Sequence, residues 1–288
     1  MSDIWEIAAI LTKLLLYVGV AGSVGLVMIS AVFNELVSPI IDKLRTRTAL
    51  LAALAFFTAI LSFMLRGSAL TGEAYGMIDP EILGLMWQTP VGDVLAYRVA
   101  GSALIFIGLF TPLVGQWIAL AGGLIALWSF SQIGHVFELT TTGASLLLLL
   151  HLLGITFWIG VLDPLRALAQ CPKQIKRAAT LGQRFGQAAA VIVPGLILAG
   201  LLMAWLLIGD IRALVTTAYG QTLLIKMVLV GAVLALAAVN KFRFVPAMQS
   251  GNSKAARQLA RSIEIEAMVI LLVLAATATL TSVLTPQN

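Results

Sequence analysis

Two histidines, His135 and His151, are the only imidazoles in the 288 residues, and both stand among apolar residues. A neutral imidazole is a common metal ligand and can also carry protons. A polar side chain within a membrane helix faces the bundle interior or a cavity, and by default it marks a functional site. We therefore predict that both histidines bind a metal ion. The alternative is that the two rings only form hydrogen bonds with neighbouring helices.

The depth of each histidine decides whether the two can share one ion. His135 ends the fourth apolar run, and His151 lies nine residues into the fifth. At 1.5 Å per helical residue, His151 is about 13 Å deeper. Two nitrogens that bind one metal lie within about 4 Å of each other, because each bond is about 2 Å long. The pair is therefore predicted to form two successive sites on an inward route.

Further polar side chains lie inside the apolar runs at helical spacing. His151 and Trp158 are seven residues apart, as are Tyr219 and Lys226, so each pair shares one face of its helix. The alternative for a basic residue in such a position is that its charged end reaches the outer surface. We predict an internal path that is lined or supported by Arg98, Trp158, Tyr219, Lys226, Asn240 and Glu266.

The segment 67–92 contains three acids and no lysine or arginine. It also carries two methionines, whose thioether sulfurs are soft ligands that suit Cu(I). Met77 and Met86 are therefore candidates for capturing a metal ion outside the membrane, since the acids attract cations. The alternative is that both methionines pack within an amphipathic surface segment.

Composition predicts the elements that position these side chains. Hydrophobic residues make up 60% of the chain and charged residues 11%, whereas soluble domains carry about 25% charged residues. Runs of about 18 or more apolar residues predict membrane spans. The chain is therefore predicted to be an all-α, polytopic helix bundle that forms a single transmembrane domain over 1–288. Its eight apolar runs are 4–33, 48–66, 93–111, 113–133, 142–163, 186–208, 221–240 and 263–284.

The distribution of lysine and arginine predicts the orientation of the bundle. Thirteen of the 18 basic residues lie in three alternate connections, 34–47, 164–185 and 241–262. Such connections face the cytoplasm, so both termini are predicted to be periplasmic in a bacterial inner membrane. The net charge of +5 belongs to these connections, which favours contact with the lipid bilayer and its anionic headgroups rather than with nucleic acid.

Four groups of residues in the later part of the chain match one known pattern. Gly134-His135 is followed by His151 and then by Trp158-Ile-Gly160, which gives the order GH…H…W-x-G. The other groups are Tyr219-Gly-Gln-Thr-Leu-Leu-Ile-Lys226, Asn240-Lys-Phe-Arg-Phe-Val-Pro246 and Arg261-Ser-Ile-Glu264-Ile-Glu266. Together they resemble the family of CopD-type copper resistance membrane proteins, and the likeness is strongest over 89–288.

This resemblance implies an inner-membrane protein that moves copper toward the cytoplasm after delivery by a periplasmic carrier of the CopC type. It also implies that both histidines are copper ligands. The chain departs from the family in its first span, where members often have a histidine and this chain has Lys13-Leu-Leu-Leu16-Tyr17. Four further residues match the family's polar marks: Trp158, Lys226, Asn240 and Glu266.

Three functions are compatible with these residues. The first is copper transport without enzymatic activity, which is passive or ion-coupled because the chain has no ATP-binding loop of the form GxxxxGK followed by Ser or Thr. The second is a membrane redox protein that binds haem or quinone through the same histidines and basic residues. The third is a scaffold of a copper system that has no ligand path.

A reporter fused after Asn288 tests the predicted orientation. We expect activity only from a reporter that works outside the cytoplasm, because the three basic connections hold the opposite helix ends inside. A reporter that requires the cytoplasm should stay inactive at the same fusion point. Cytoplasmic activity there would contradict the topology and would move His135 to the inner side.

Overall fold

The structure is a computed structural model that describes residues 2–133, 142–208, 212–282 and 284. Within these ranges it is all-α and contains no strand, as the composition predicted. Short helical segments, such as Ala74–Met77, Pro80–Trp87 and Val245–Gln249, connect longer ones. The longer described helices are α1 (Ser2–Val32), α2 (Ile41–Thr71), α3 (Pro90–Phe110), α4 (Gly115–Trp128), α5 (Thr142–Ala169), α6 (Ile175–Ile208), α7 (Ala218–Val239) and α8 (Ser253–Ser282).

Seven helices in the described ranges are long and apolar enough to cross a membrane, and each overlaps one predicted run. α4 is shorter, and with the turn that follows it forms an apolar helix over Gly115–Ser131. An eighth crossing, and with it the position of both termini, stays a prediction.

Some helices extend beyond the predicted run at their basic ends; α6 begins at Ile175 rather than at 186. A helix can continue into the polar headgroup region, where hydropathy no longer reports it.

Local sequence sets the ends of the helices that carry polar groups. Thr89 caps α3, because its side chain accepts a hydrogen bond from the N–H of Val91. Thr217 caps α7 in the same way through the N–H of Gly220. A turn separates α3 from α4, since α3 ends at Phe110 and Pro112 cannot continue it.

α1 lies at the centre of the bundle and packs against α2, α4, α5 and α8. Its closest approach to α5 is at Gly25, which meets the backbone of Gly160. Small residues allow such contacts between membrane helices. Thr156 Oγ1 donates a hydrogen bond to Met28 Sδ at 3.6 Å in the same contact. α1 and α5 are thereby held too close for a side chain to fit between them at the crossing.

The described residues form two apolar cores, and α1 belongs to both. One core joins α1, α5, α6 and α8 around Leu26, Leu165 and Leu259. The other joins α1, α2, α3 and α4 around Leu16 and Ile105. α7 packs mainly against α8, whereas α6 packs against α5. The bundle therefore has two halves, and the later half contains most of the polar residues singled out from the sequence.

Replacement of Gly160 by alanine should destabilise the bundle, because the added methyl group would meet the backbone of Gly25. Overpacking of this kind costs about 1–3 kcal/mol, so the midpoint of thermal unfolding in detergent should fall. Gly195→Ala is the matched control, since no atom lies within 4 Å of its added methyl group. Equal midpoints for the two variants would show that the bundle does not depend on the close contact of α1 and α5.

Candidate functional site

A buried carboxylate, that of Glu266, joins three helices inside the bundle. Trp158 of α5 donates a hydrogen bond from Nε1 to Glu266 Oε1 at 2.7 Å. Asn240, directly after α7, donates from Nδ2 to Glu266 Oε2 at 2.9 Å. Only 2% of Glu266 is exposed. These three residues, which we call the Glu266 cluster, give each carboxylate oxygen a donor away from solvent.

The backbone after α7 has an unusual conformation at Asn240. Residues Asn240–Phe244 form a π-helical turn, a wide turn that is rare and is often found at functional sites. Pro246 follows it and lacks the N–H group that a regular helix would use. The side chain of Asn240 contacts Glu266 through Nδ2, while its Oδ1 is buried and has no hydrogen-bond partner. The Glu266 cluster therefore contains one unused acceptor.

A row of aromatic rings begins at the indole of the Glu266 cluster. Phe185 of α6 meets Trp158 edge-on, with 6.4 Å between the ring centroids. Phe185 also packs against Phe157 at 5.6 Å, and Phe33 lies beyond Phe157 at 6.1 Å. Apolar rings lower the local dielectric constant, which strengthens a hydrogen bond to a carboxylate.

His151 and Trp158 both lie on the continuous helix α5, and their spacing of seven residues puts them on one face of it. The ring lies next to Gly200 of α6: a Cβ atom added to this glycine would be 3.6 Å from Cε1 of His151. The backbone of Leu196 offers the ring a hydrogen bond, while Nδ1 is buried without a partner. A polar atom buried in this way costs about 1–3 kcal/mol, and a bound metal ion would offset that cost. The role of His151 as a ligand stays a prediction.

Lys226 of α7 is close enough to His151 for the two side chains to interact electrostatically. In the part of the chain that the structure describes, no carboxylate lies within ion-pairing distance of Lys226. Tyr219 is buried, with 7% exposed, at the opposite end of α7 from Asn240. Lys226 therefore belongs with His151, and Tyr219 lies apart from the Glu266 cluster.

The structure does not bring Arg98 together with the other predicted path residues. Its Nε donates to Ser129 Oγ at 3.3 Å, and its guanidinium carbon lies 4.9 Å from the centre of the Phe130 ring. Lys13 of α1 and Arg66 of α2 are close enough to interact with it electrostatically. We call Lys13, Arg66 and Arg98 the cationic group. Sequence reasoning missed the first two, because basic residues on separate helices share no spacing that would reveal them.

The cationic group is tied to the end of α8. Lys13 Nζ donates to the carbonyl oxygen of Thr281 at 2.5 Å. The hydroxyl of Tyr17 shares a hydrogen bond with Thr281 Oγ1 at 2.9 Å, and its ring packs against Phe130. Leu16, in the stretch where the chain departs from the family that it resembles, is fully buried in an apolar core. This stretch of α1 therefore supplies a basic side chain and a hydroxyl to the bundle, and no imidazole.

The structure does not place the other three candidate metal ligands, His135, Met77 and Met86, in a metal site. His135 lies outside the described residues, so its distance from His151 stays a prediction. Met86 is buried in the helix Pro80–Trp87, with 6% exposed, so its sulfur is not offered to solvent. Met77 ends the turn Ala74–Met77 and is partly buried. Within the described ranges, no three His, Cys, Asp or Glu side chains converge in a way that would hold a metal ion.

Two protein-family models match the chain. The one described as Copper resistance protein D matches residues 179–280, a range that includes Lys226, Asn240 and Glu266. The one described as Copper resistance protein D-like, N-terminal domain matches residues 1–142. The likeness therefore extends to the first part of the chain, while His151 and Trp158 fall between the two matched ranges. No curated protein and no solved structure matches the chain.

Trp158→Phe removes the N–H group that Glu266 accepts and keeps a ring that can pack against Phe185. A hydrogen bond to a charged group contributes about 1.5–3 kcal/mol, so the midpoint of thermal unfolding in detergent should fall. Trp117→Phe is the matched control, because Trp117 lies on α4 and is 69% exposed. If Trp158→Phe unfolds at the same temperature as the control, the bond to Glu266 does not stabilise the bundle.

Proposed function

The chain belongs to the copper resistance protein D family of multi-pass inner-membrane proteins, and we propose that it moves copper ions across that membrane toward the cytoplasm. Copper is then the cargo of the bundle rather than a resident cofactor. Because the sequence has no ATP-binding loop, the movement is passive or coupled to another ion, and it involves no enzymatic step.

The unpartnered Nδ1 of His151 is the observation that supports this proposal most directly. It is an imidazole nitrogen inside the bundle, in a chain whose family handles copper. Imidazole is a suitable ligand for copper. Gly200 of α6 presents no side chain to the ring, so the face of α6 next to the imidazole carries no group that would compete with copper for it. We take His151 as the inner of two histidine sites on the copper route.

Lys226 makes His151 a weak copper site. A positive charge beside the ring repels a copper ion in a medium of low dielectric constant. Passage through a membrane requires several weak sites rather than one tight site, since a tightly bound ion does not leave. The Glu266 cluster follows about 10 Å further along α5, given seven residues from His151 to Trp158 at 1.5 Å each. Its carboxylate attracts the ion onward.

We propose that copper enters near His135 and the acidic segment 67–92. A periplasmic carrier of the CopC type would release its ion there, because the acids of this segment attract cations and Met77 offers a thioether. His135 would bind the ion first and His151 second. This order requires both termini to be periplasmic, which is the topology that the basic connections predict.

Copper accumulation in cells that express histidine variants tests the route. His151→Ala should abolish accumulation and leave the protein folded, because it removes a ligand without adding a charge. His135→Ala should weaken accumulation only at low copper, since mass action can bypass an entry site. Ser102→Ala is the matched control: its hydroxyl is also buried without a partner, but it lies on α3.

Two results would contradict this proposal. If both histidine variants accumulate copper like the unaltered protein, the histidines do not form the route, and a scaffold function is favoured. If the purified protein shows the Soret absorption band of haem, and His151→Ala abolishes that band, a redox function is favoured instead.

A further inference from the structure

The side chain of Asn240 can form a hydrogen bond with Glu266 whether the carboxyl group is ionised or protonated. In the structure both carboxylate oxygens accept N–H groups, which is the pattern expected of an ionised carboxylate. A protonated Glu266 would donate its own O–H group and would need an acceptor. Asn240 Oδ1, which is buried and unpartnered, supplies one.

Rotation of the Asn240 amide by half a turn exchanges Nδ2 and Oδ1. The two ends of an amide have nearly the same size and shape, so the rotation requires no repacking. Oδ1 then accepts from a protonated Glu266, while Trp158 Nε1, which can only donate, keeps its bond to the other oxygen. One end of the amide lacks a partner in either state, so hydrogen bonding alone favours neither.

No described charged group forms an ion pair with Glu266. A buried carboxylate without a counter-ion carries a large desolvation cost, which a proton or a passing cation removes. α1 has no acidic or basic residue between Lys13 and Glu35, and Val245–Gln249 has none. On the neighbouring elements, Asp163 and Arg166 of α5 form ion pairs with Arg47 and Glu264. Lys241 and Arg243 lie against the rings of Phe242 and Phe244, and Lys226 of α7 lies near His151.

We propose that Glu266 is a proton-exchange site, at which a proton and a transported copper ion alternate. The proposal rests on the copper transport proposed above for its physiological role. Both species bring positive charge to the same carboxylate, so the presence of one disfavours the other. Arrival of copper releases one proton from Glu266, and departure of copper allows one proton to bind. Only an O–H bond breaks or forms, and nothing is oxidised or reduced.

Copper uptake into proteoliposomes, measured at several pH values, tests this exchange. Acid protonates Glu266, so uptake by the unaltered protein should slow as the pH falls. Glu266→Gln resembles the protonated state, because its amide can donate to Asn240 Oδ1 and accept from Trp158. This variant should be slow at every pH and should lose the pH dependence that Glu266 causes.

Glu264→Gln is the matched control, because Glu264 is exposed and lies two residues away on α8. Both variants keep His135 and His151, so these two residues do not distinguish their pH profiles. The unaltered protein and Glu264→Gln should share one pH profile, so a departure of Glu266→Gln from both reports Glu266. If Glu266→Gln keeps the pH profile of Glu264→Gln, the proposal is overturned.

Infrared spectroscopy in nanodiscs without copper separates the proton site from the transport function. The unaltered protein should show the C=O band of a buried carboxylic acid that grows as the pH falls, and Glu266→Gln should lack this band. If the band appears but no variant takes up copper, the proton site stands and copper transport does not. Absence of the band at every pH would overturn proton exchange at Glu266.

Discussion

The close contact between α1 and α5 determines the direction in which the functional side chains of α5 point. At Gly25 and Gly160 the two backbones meet with no side chain between them. At about 100° per residue, both His151 and Trp158 lie on the face of α5 opposite Gly160. They are therefore directed away from α1, and Trp158 reaches Glu266 of α8. A hydrogen bond of 2.7 Å tolerates little displacement, so the Glu266 cluster depends on this helix crossing.

Charged side chains within the apolar helices lie in two separate regions of the bundle. The cationic group lies where α1, α2 and α3 meet, and no described carboxylate pairs with it. The region where α5, α7 and α8 meet holds Lys226, which is partly buried, and Glu266, which is buried. Like charges repel strongly at low dielectric constant, so a copper ion would meet three basic side chains on the first side and only one on the second. This difference favours the α5–α8 side as the copper route.

Features that follow from local patterns, such as helices and the residues that share one helix face, could be predicted from the sequence. Features that depend on which helices pack together could not. Hydropathy identified the all-α bundle, and spacing placed His151 and Trp158 on one face. In the sequence, Arg98 and Lys226 occupy equivalent positions, because each is a basic residue one or two turns inside an apolar run. They separate in space because α3 packs against α4 while α7 packs against α8. The contact of Asn240 with Glu266 also involves a π-helical turn, which helical periodicity does not predict.

The leucine at position 16 limits the kind of copper site that the bundle can form. Leu16 is fully buried in a core that Leu149 and Leu152 of α5 contact, so this region is hydrocarbon. Among the described residues, His151 is then the one imidazole, and its charged neighbour is Lys226. If His151 is a copper ligand, as we propose, a single nitrogen next to a positive charge would hold copper weakly. Weak binding would allow release, so a leucine rather than a histidine at position 16 is compatible with the route toward Glu266 that we propose.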